Sequence, residues 1–295
     1  MPSMIRRGLA GLTGEETPVR AWRSLIATQD VVGIKVLSAP GSTAGTRPAV
    51  VEAVVQGLID AGLPPKQIVV WDKRLADLRQ AGFFSLAERH GIQVAGAMDA
   101  GFDESVFYES AILGRLVWGD LEFGGKGEGV ARKSFFSKLV TQQFTRIITV
   151  TPLLNHNVIG VSGNLWGLAM GSVDNTLRFE GDAARLAVAV PEILVCPVRD
   201  ENALADLVVL NITDALVCQY YGAEEPRLHY ASPLNQLWFS RDPVALDVLA
   251  IQELERQRKR TDPSPTRPNL DLYKNASLLG LGVNDPSLID VIHSP

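Results

Sequence analysis

Four side chains combine a reactive group with a place in or just beyond an apolar run. Lys35 lies within Val31–Leu37, flanked by Ile34 and Val36, and Asp72 closes the run Gln67–Trp71. His156 follows a run ending at Val150, in a stretch that gathers Asn155, Asn157, Ser162 and Asn164 around Gly160 and Gly163. Asp214 follows Leu207–Ile212. A lysine amine can hold an anion or polarise a carbonyl, a histidine can exchange a proton near neutral pH, and an aspartate can orient either. Lys35, His156, Asp72 and Asp214 are therefore the candidate catalytic residues. Each also has a structural reading. Lys35 could snorkel from a strand edge, Asp72 and Asp214 could be turn or N-cap residues, and His156 could hydrogen-bond within its own loop. A lysine inside an apolar strand costs free energy unless it is paired or needed at a site, which keeps Lys35 prominent.

A second group is made of small residues. The loop Ser38–Gly45 leads into Thr46 and Pro48. Ser42, Thr43, Gly45 and Thr46 could offer donors to an anion, as loops opening helices do. The loop has neither the Gly-Lys-Ser/Thr of a P-loop nor the G-x-G-x-x-G of a dinucleotide turn. Histidines at 90, 156, 229 and 293 form no paired motif, so no metal site is expected. Cys196 and Cys218 are too few to ligate an iron–sulfur cluster within one chain, so none is expected and the cofactor stays unassigned. No G-x-S-x-G elbow marks a serine hydrolase. The basic run Glu255–Arg260 reads as the cationic end of a helix.

The elements that must position these groups read as an α/β chain, with a mainly parallel sheet flanked by helices in Rossmann-like layers. The stretch to Ile26 is helical, with Pro18 opening a second short helix. Strand 31–37, a helix from Thr46 (its N-cap) to Ala61-Gly62, and strand 67–71 form a βαβ unit. Leu75–His90 holds two helices split at Gly82. Further strands are expected at Leu113–Trp118, Arg146–Val150 and Leu207–Ile212. Asp242 caps a helix over Pro243–Gln257, Thr261–Pro268 is a proline-rich surface linker, and Leu270–Ile292 gives a helix, a Gly280–Gly282 turn and a closing strand. A helical segment over 1–30 precedes an α/β domain over 31–295, and any division into two lobes falls near 96–150. In such sheets ligands bind beyond the carboxyl ends of the strands, where all four candidates would converge.

The chain has 295 residues, 46% apolar and 21% charged, which excludes disorder as the dominant state. A net charge of −5 provides no basic field for nucleic acid. Every apolar run stops far short of the ~20 residues of a spanning helix. Met1–Ala10 carries Arg6 and Arg7 but no apolar stretch behind them, so it reads as amphipathic, not as a signal peptide. The expectation is a soluble chain, cytoplasmic or exported after loss of a signal peptide. Its partner would be a small-molecule ligand, with no nucleic acid or membrane, and a homo-oligomer is compatible with the composition.

The order of several segments resembles the family catalogued as domain of unknown function 362. They include Val32–Lys35, Thr46 and Pro48, Ile68–Asp72, Ala81–Phe83, Gly160–Gly163 with His156 before it, Gly171–Asn175, Thr213–Ala215, Ser240–Asp247 and Leu279–Gly282. The resemblance runs over roughly residues 8 to 292 and implies an α/β fold and a redox-linked context, with no established reaction. Relatives usually carry a lysine where this chain has Leu154, and a Lys-Asn pair that falls at Trp166-Gly167. Many also append ferredoxin-like cysteine modules, and this chain has none.

The leading expectation is an enzyme or binding protein with an anionic or carbonyl-bearing ligand in a strand-end cleft. Lys35 would supply charge, His156 a proton or hydrogen bond, and Asp72 or Asp214 orientation. The alternative is a non-catalytic accessory or ligand-binding member of a redox-associated family.

Overall fold

Two short helices open the chain. The computed structural model describes residues 1–123, 129–223, 225–261 and 268–293. Helix α1 (Pro2–Thr13) buries Ile5 and Leu9 and stops where Gly14 turns to φ 71°. Helix α2 (Pro18–Arg23) is capped by the Thr17 hydroxyl, which accepts from the Arg20 amide, and it buries Trp22.

The βαβ unit follows as read from the sequence. Strand β1 (Val32–Val36) is wholly buried, a single turn α3 (Gly41–Ala44) follows, and α4 (Pro48–Asp60) leads to β2 (Ile68–Asp72). Helices α5 (Leu75–Gln80) and α6 (Phe83–His90) are separated by Gly82 at φ 92°, a conformation that favours glycine. Strand β3 (Gln93–Gly96) and the turn α7 (Ala97–Ala100) come next. The chain then leaves the sheet to form a hairpin of β4 (Phe102–Arg115) and β5 (Val130–Ser137). It returns as β6 (Arg146–His156), which folds back on the short β7 (Gly160–Val161). Helices α8 (Asn164–Ser172) and α9 (Ala183–Val195) precede a small hairpin, β8 (Pro197–Arg199) with β9 (Asn202–Ala203). The last strands are β10 (Val208–Gln219) and β11 (Ala231–Ser240), followed by α10 (Pro243–Arg258) and α11 (Asp271–Leu278).

The main sheet runs β11-β10-β6-β1-β2-β3. Along this order all neighbours are parallel except the β10–β11 pair, and off it β7 pairs antiparallel with β6. Ile34, Val36, Val70, Ile148 and Ile212 face one core, shared with α1, α2, α4 and α6. Val69, Trp71 and Ile147 face the other, packed by α8, α9 and α10. Lys35 therefore sits on a central strand, not on an edge from which it could snorkel.

Several expectations need correction. Only Leu113–Arg115 of the proposed strand 113–118 is extended, as the end of β4. The strands foreseen at 146–150 and 207–212 continue to His156 and Gln219, so Asp214 lies inside a strand rather than beyond one. Thr46 does not cap α4. Arg47 holds that position without a side-chain cap, because the Thr46 hydroxyl is engaged with the sheet. The Asp242 cap is present, its carboxylate accepting from the Ala245 amide at 2.8 Å. The tail makes α11 and the glycine turn but no closing strand: Asp285 caps a one-turn 3₁₀ segment at Pro286–Leu288, and Leu288, Val291 and Ile292 stay exposed. Most of the proposed linker, residues 262–267, lies outside the described residues. No described helix is long and apolar enough to cross a membrane.

Candidate functional site

Strands β1 and β2 end side by side, with Lys35 opposite Trp71 in the register. The Lys35 side chain runs toward the carboxyl edge, where its amine donates to Asp72 Oδ1 at 2.7 Å and to the Val36 carbonyl at 2.6 Å. It is 1% exposed and lies 5.6 Å from the Trp71 ring. Helix α8 presses on its stem. A Cβ added at Gly171 would come within 2.2 Å of Lys35 Cε, so a glycine is required there. The other Asp72 oxygen accepts from the Ser38 amide and hydroxyl, each at 2.7 Å, and Oδ1 also accepts from the Lys73 amide. Burial alone would raise the Asp72 carboxyl. The Lys35 charge and the hydrogen bonds from Lys35 and Ser38 outweigh it and hold the group below the usual range.

The structure brings Lys35 and Asp72 together and gives the other two candidates different partners. Asp214 projects from the opposite face of the sheet to Lys35, since Lys35 aligns with Thr149 and Asn211 and Asp214 is three residues past Asn211. It faces the start of α4, 2.9 Å from Arg47 Nη1, and accepts from the Arg47 and Leu216 amides. Burial raises its carboxyl against the pull of Arg47. His156 ends β6, and its Nδ1 accepts from the Val158 and Ile159 amides at 3.2 and 3.4 Å. Its proton therefore belongs on Nε2. Burial pushes the ring down to about 4, so it is neutral at pH 7. Its ring packs 5.1 Å from Trp166. Trp166 in turn joins Leu37, Ala44 and Leu154 in a small apolar cluster at the strand ends.

In the small-residue loop, Ser42 and Thr43 are exposed, while Gly45 and Thr46 are buried. Gly45 sits so close to the Gly41 and Leu37 carbonyls that a Cβ would meet both at 2.6 Å. The Thr46 hydroxyl accepts from the Leu37 amide and donates to the Val150 carbonyl, fastening the end of β1 to β6. Among the described residues no three His, Cys, Asp or Glu side chains are placed to hold a metal ion. Cys196 and Cys218 are unbonded.

Two groups escaped the sequence reading. The first adjoins Asp72. The Lys73 amine donates to the Thr176 hydroxyl at 2.6 Å, in the segment Asp174–Thr176 that follows α8. Asp174 accepts from the Leu121 and Phe135 amides, and burial raises its carboxyl to about 6. Asn175 is buried in the left-handed region at φ 44°. Its Nδ2 donates to the Lys133 carbonyl, and its Oδ1 has no partner among the described residues. The second is a polar layer on the Lys35 face of the sheet. Thr149 reaches Asn164 and Asn211, Thr151 reaches Asn164, and buried Asp247 accepts from the Asn164 and Leu165 amides at the start of α8. A period-two signal for this layer stood in the sequence, in the alternation Thr149-x-Thr151 and Asn211-x-Thr213 within apolar strands. Lys73 had no such signal, because beside Asp72 and Arg74 it reads as an ordinary charged turn.

No curated protein matches the chain. A crystal structure of a Thermotoga maritima protein from a structural genomics consortium is similar in outline. It has 14% identity and a TM-score of 0.47, over 88% of this chain and 59% of that one. The chain thus spans about three-fifths of the length of that relative. The family model described as "Domain of unknown function (DUF362)" matches residues 32–252, from β1 through most of α10. That span takes in Lys35, Asp72, Lys73, His156, the Asp174–Thr176 segment and Asp214, and on this match the chain belongs to the DUF362 family.

Proposed function

We propose that the chain binds a small anionic or carbonyl-bearing molecule at the carboxyl edge of its parallel sheet, around Lys35, Asp72 and Lys73. The observation that carries this reading is the placement, at the ends of adjacent strands, of a buried Lys35–Asp72 pair and of the Lys73 amine, which turns to the Thr176 hydroxyl while its own backbone amide donates to Asp72. Such edges are where open parallel sheets receive ligands. Asp72 takes donors from Lys35, Ser38 and the Lys73 amide. It therefore serves to fix the edge, and the Lys73 amine, with one partner among the described residues, keeps donors for a ligand. His156 contributes no proton transfer in this reading, because it is neutral and committed to its own loop.

A second reading is favoured by one observation. The cluster of Leu37, Ala44, Leu154 and Trp166 fills part of the strand-end region with apolar groups. This supports a ligand-binding or accessory member without catalysis. One experiment addresses both. A thermal-shift panel of phosphate, small carboxylates, aldehydes and ketones should contain a compound that stabilises the protein, by about 2.7 kcal/mol near 100 Kd. Lys73→Met should lose the shift while keeping the melting behaviour of the unliganded protein. A panel without any stabilising compound, or a shift that survives Lys73→Met undiminished, goes against a site at this edge.

A further inference from the structure

The two lysines of this edge are not equivalent. Lys35 is locked by a carboxylate, a carbonyl and the close passage of Gly171. Lys73 is partly exposed, and its amine has one hydrogen-bond partner among the described residues, the neutral Thr176 hydroxyl. Among the described residues, two of its donor positions have no partner. Beside Thr176, the buried side-chain Oδ1 of Asn175 has no donor among the described residues. A buried acceptor without a partner is costly, and it lies one residue from the hydroxyl that holds an amine with spare capacity.

We propose that Lys73 is a covalent ligand-binding residue, condensing with a neutral, hydroxyl-bearing aldehyde or ketone to form an imine. This rests on the reading that the edge binds a small molecule, and it selects the carbonyl class over the anionic one. The unprotonated amine attacks the carbonyl carbon, and the carbonyl electron pair moves to oxygen, which takes a proton to give a carbinolamine. Loss of that oxygen as water, with the nitrogen lone pair closing the C=N bond, completes the imine. One water is released and nothing is oxidised or reduced. The Thr176 hydroxyl, 2.6 Å from Nζ, is placed to pass the proton. Hydrolysis reverses the sequence and frees the ligand.

The surroundings favour this chemistry. Burial lowers the Lys73 amine from its ordinary value, against the charges of Glu180, Asp120 and Asp174 and with the help of Arg74. A larger neutral fraction at pH 7 is what an attacking amine needs. The same three carboxylates set the ligand class. A keto acid would bring another negative charge into their field, whereas a hydroxyl-bearing carbonyl compound adds none and can donate to Asn175 Oδ1.

The test is reductive trapping on the wild-type protein at pH 7, with dihydroxyacetone and cyanoborohydride, followed by peptide mapping. Lys73 should be modified severalfold faster than the exposed Lys66 and Lys259. Pyruvate should label Lys73 less than dihydroxyacetone does. Labelling of Lys73 no faster than of Lys66 and Lys259 overturns the proposal. If an anion still stabilises the wild type in the thermal-shift panel and Lys73→Met removes that shift, the edge binds a ligand and only the imine chemistry has failed.

Discussion

The Lys35–Asp72 pair is the clearest case of one side chain answering for another. A buried charge without its partner costs several kcal/mol, more than the pair gains over an apolar replacement. Lys35→Met should therefore destabilise the protein by about 3–5 kcal/mol at pH 7 in urea unfolding, and adding Asp72→Asn should recover part of the loss. A cost within 1 kcal/mol would mean that the pair does not hold the edge. Because the Asp72 carboxyl titrates below its unfolded value, the pair contributes fully above the ordinary aspartate range. That contribution is lost as pH falls through the lowered folded value. His156 adds a second acid-sensitive component. Burial takes its ring from 6.5 to about 4, so the unfolded chain accepts the proton first. Stability should fall as pH drops from about 6.5 toward 4, by roughly 3 kcal/mol in all. His156→Gln should flatten the curve in that window, and an unchanged curve would place the titration elsewhere.

At the scale of elements, two contacts set how helices meet the sheet. Helix α8 approaches β1 through Gly171, where a methyl group would strike the Lys35 stem. Gly171→Ala should cost about 1–3 kcal/mol, the usual penalty of overpacking. By displacing the amine, it should also weaken ligand-induced stabilisation, which calorimetry of the variant would reveal. Helix α10 begins under Asp242, whose two oxygens divide the work. Oδ1 takes the Ala245 amide and Oδ2 the Val283 amide from the tail. Asp242→Ala should lose about 1 kcal/mol for the cap, with a further loss for the tail contact. Asp242→Asn should keep the cap, because its carbonyl can still accept from Ala245.

At the scale of the molecule, the N-terminal helix shares the core rather than standing apart from it. Leu9 is fully buried in the cluster that holds Val32, Val50 and Ile148. Leu9→Ala should cost about 2–5 kcal/mol in a single cooperative urea transition. A separate early transition for the α1 region would show that it folds independently. The same view explains the buried Arg178. Its guanidinium donates to the Ser134 hydroxyl and to the carbonyls of Tyr108, Ile112 and Arg132, tying both strands of the β4–β5 hairpin to the segment after Asn175.

The strands β1, β2, β6 and β10, the helices α4 and α10 and the parallel sheet were legible because burial imposes a period that one sequence displays. Lys35 and Asp72 were legible for the same reason, each being a charge in or at the end of an apolar run. The antiparallel β11, the β4–β5 hairpin and α9 were not. β11 alternates weakly at a half-exposed edge, and α9 has an internal proline, Pro191, which the surrounding core accommodates. Sequence by itself could state that strand-end residues gather at one edge, a consequence of parallel topology. It could not state which of them touch. That was decided by the face each residue takes in its strand, by Gly171 bringing α8 over Lys35, and by the turn that sets Thr176 against Lys73. The Lys73–Thr176 hydrogen bond joins residues 103 positions apart and the Gly171–Lys35 approach spans more still, so only the packing of separate elements brings them together.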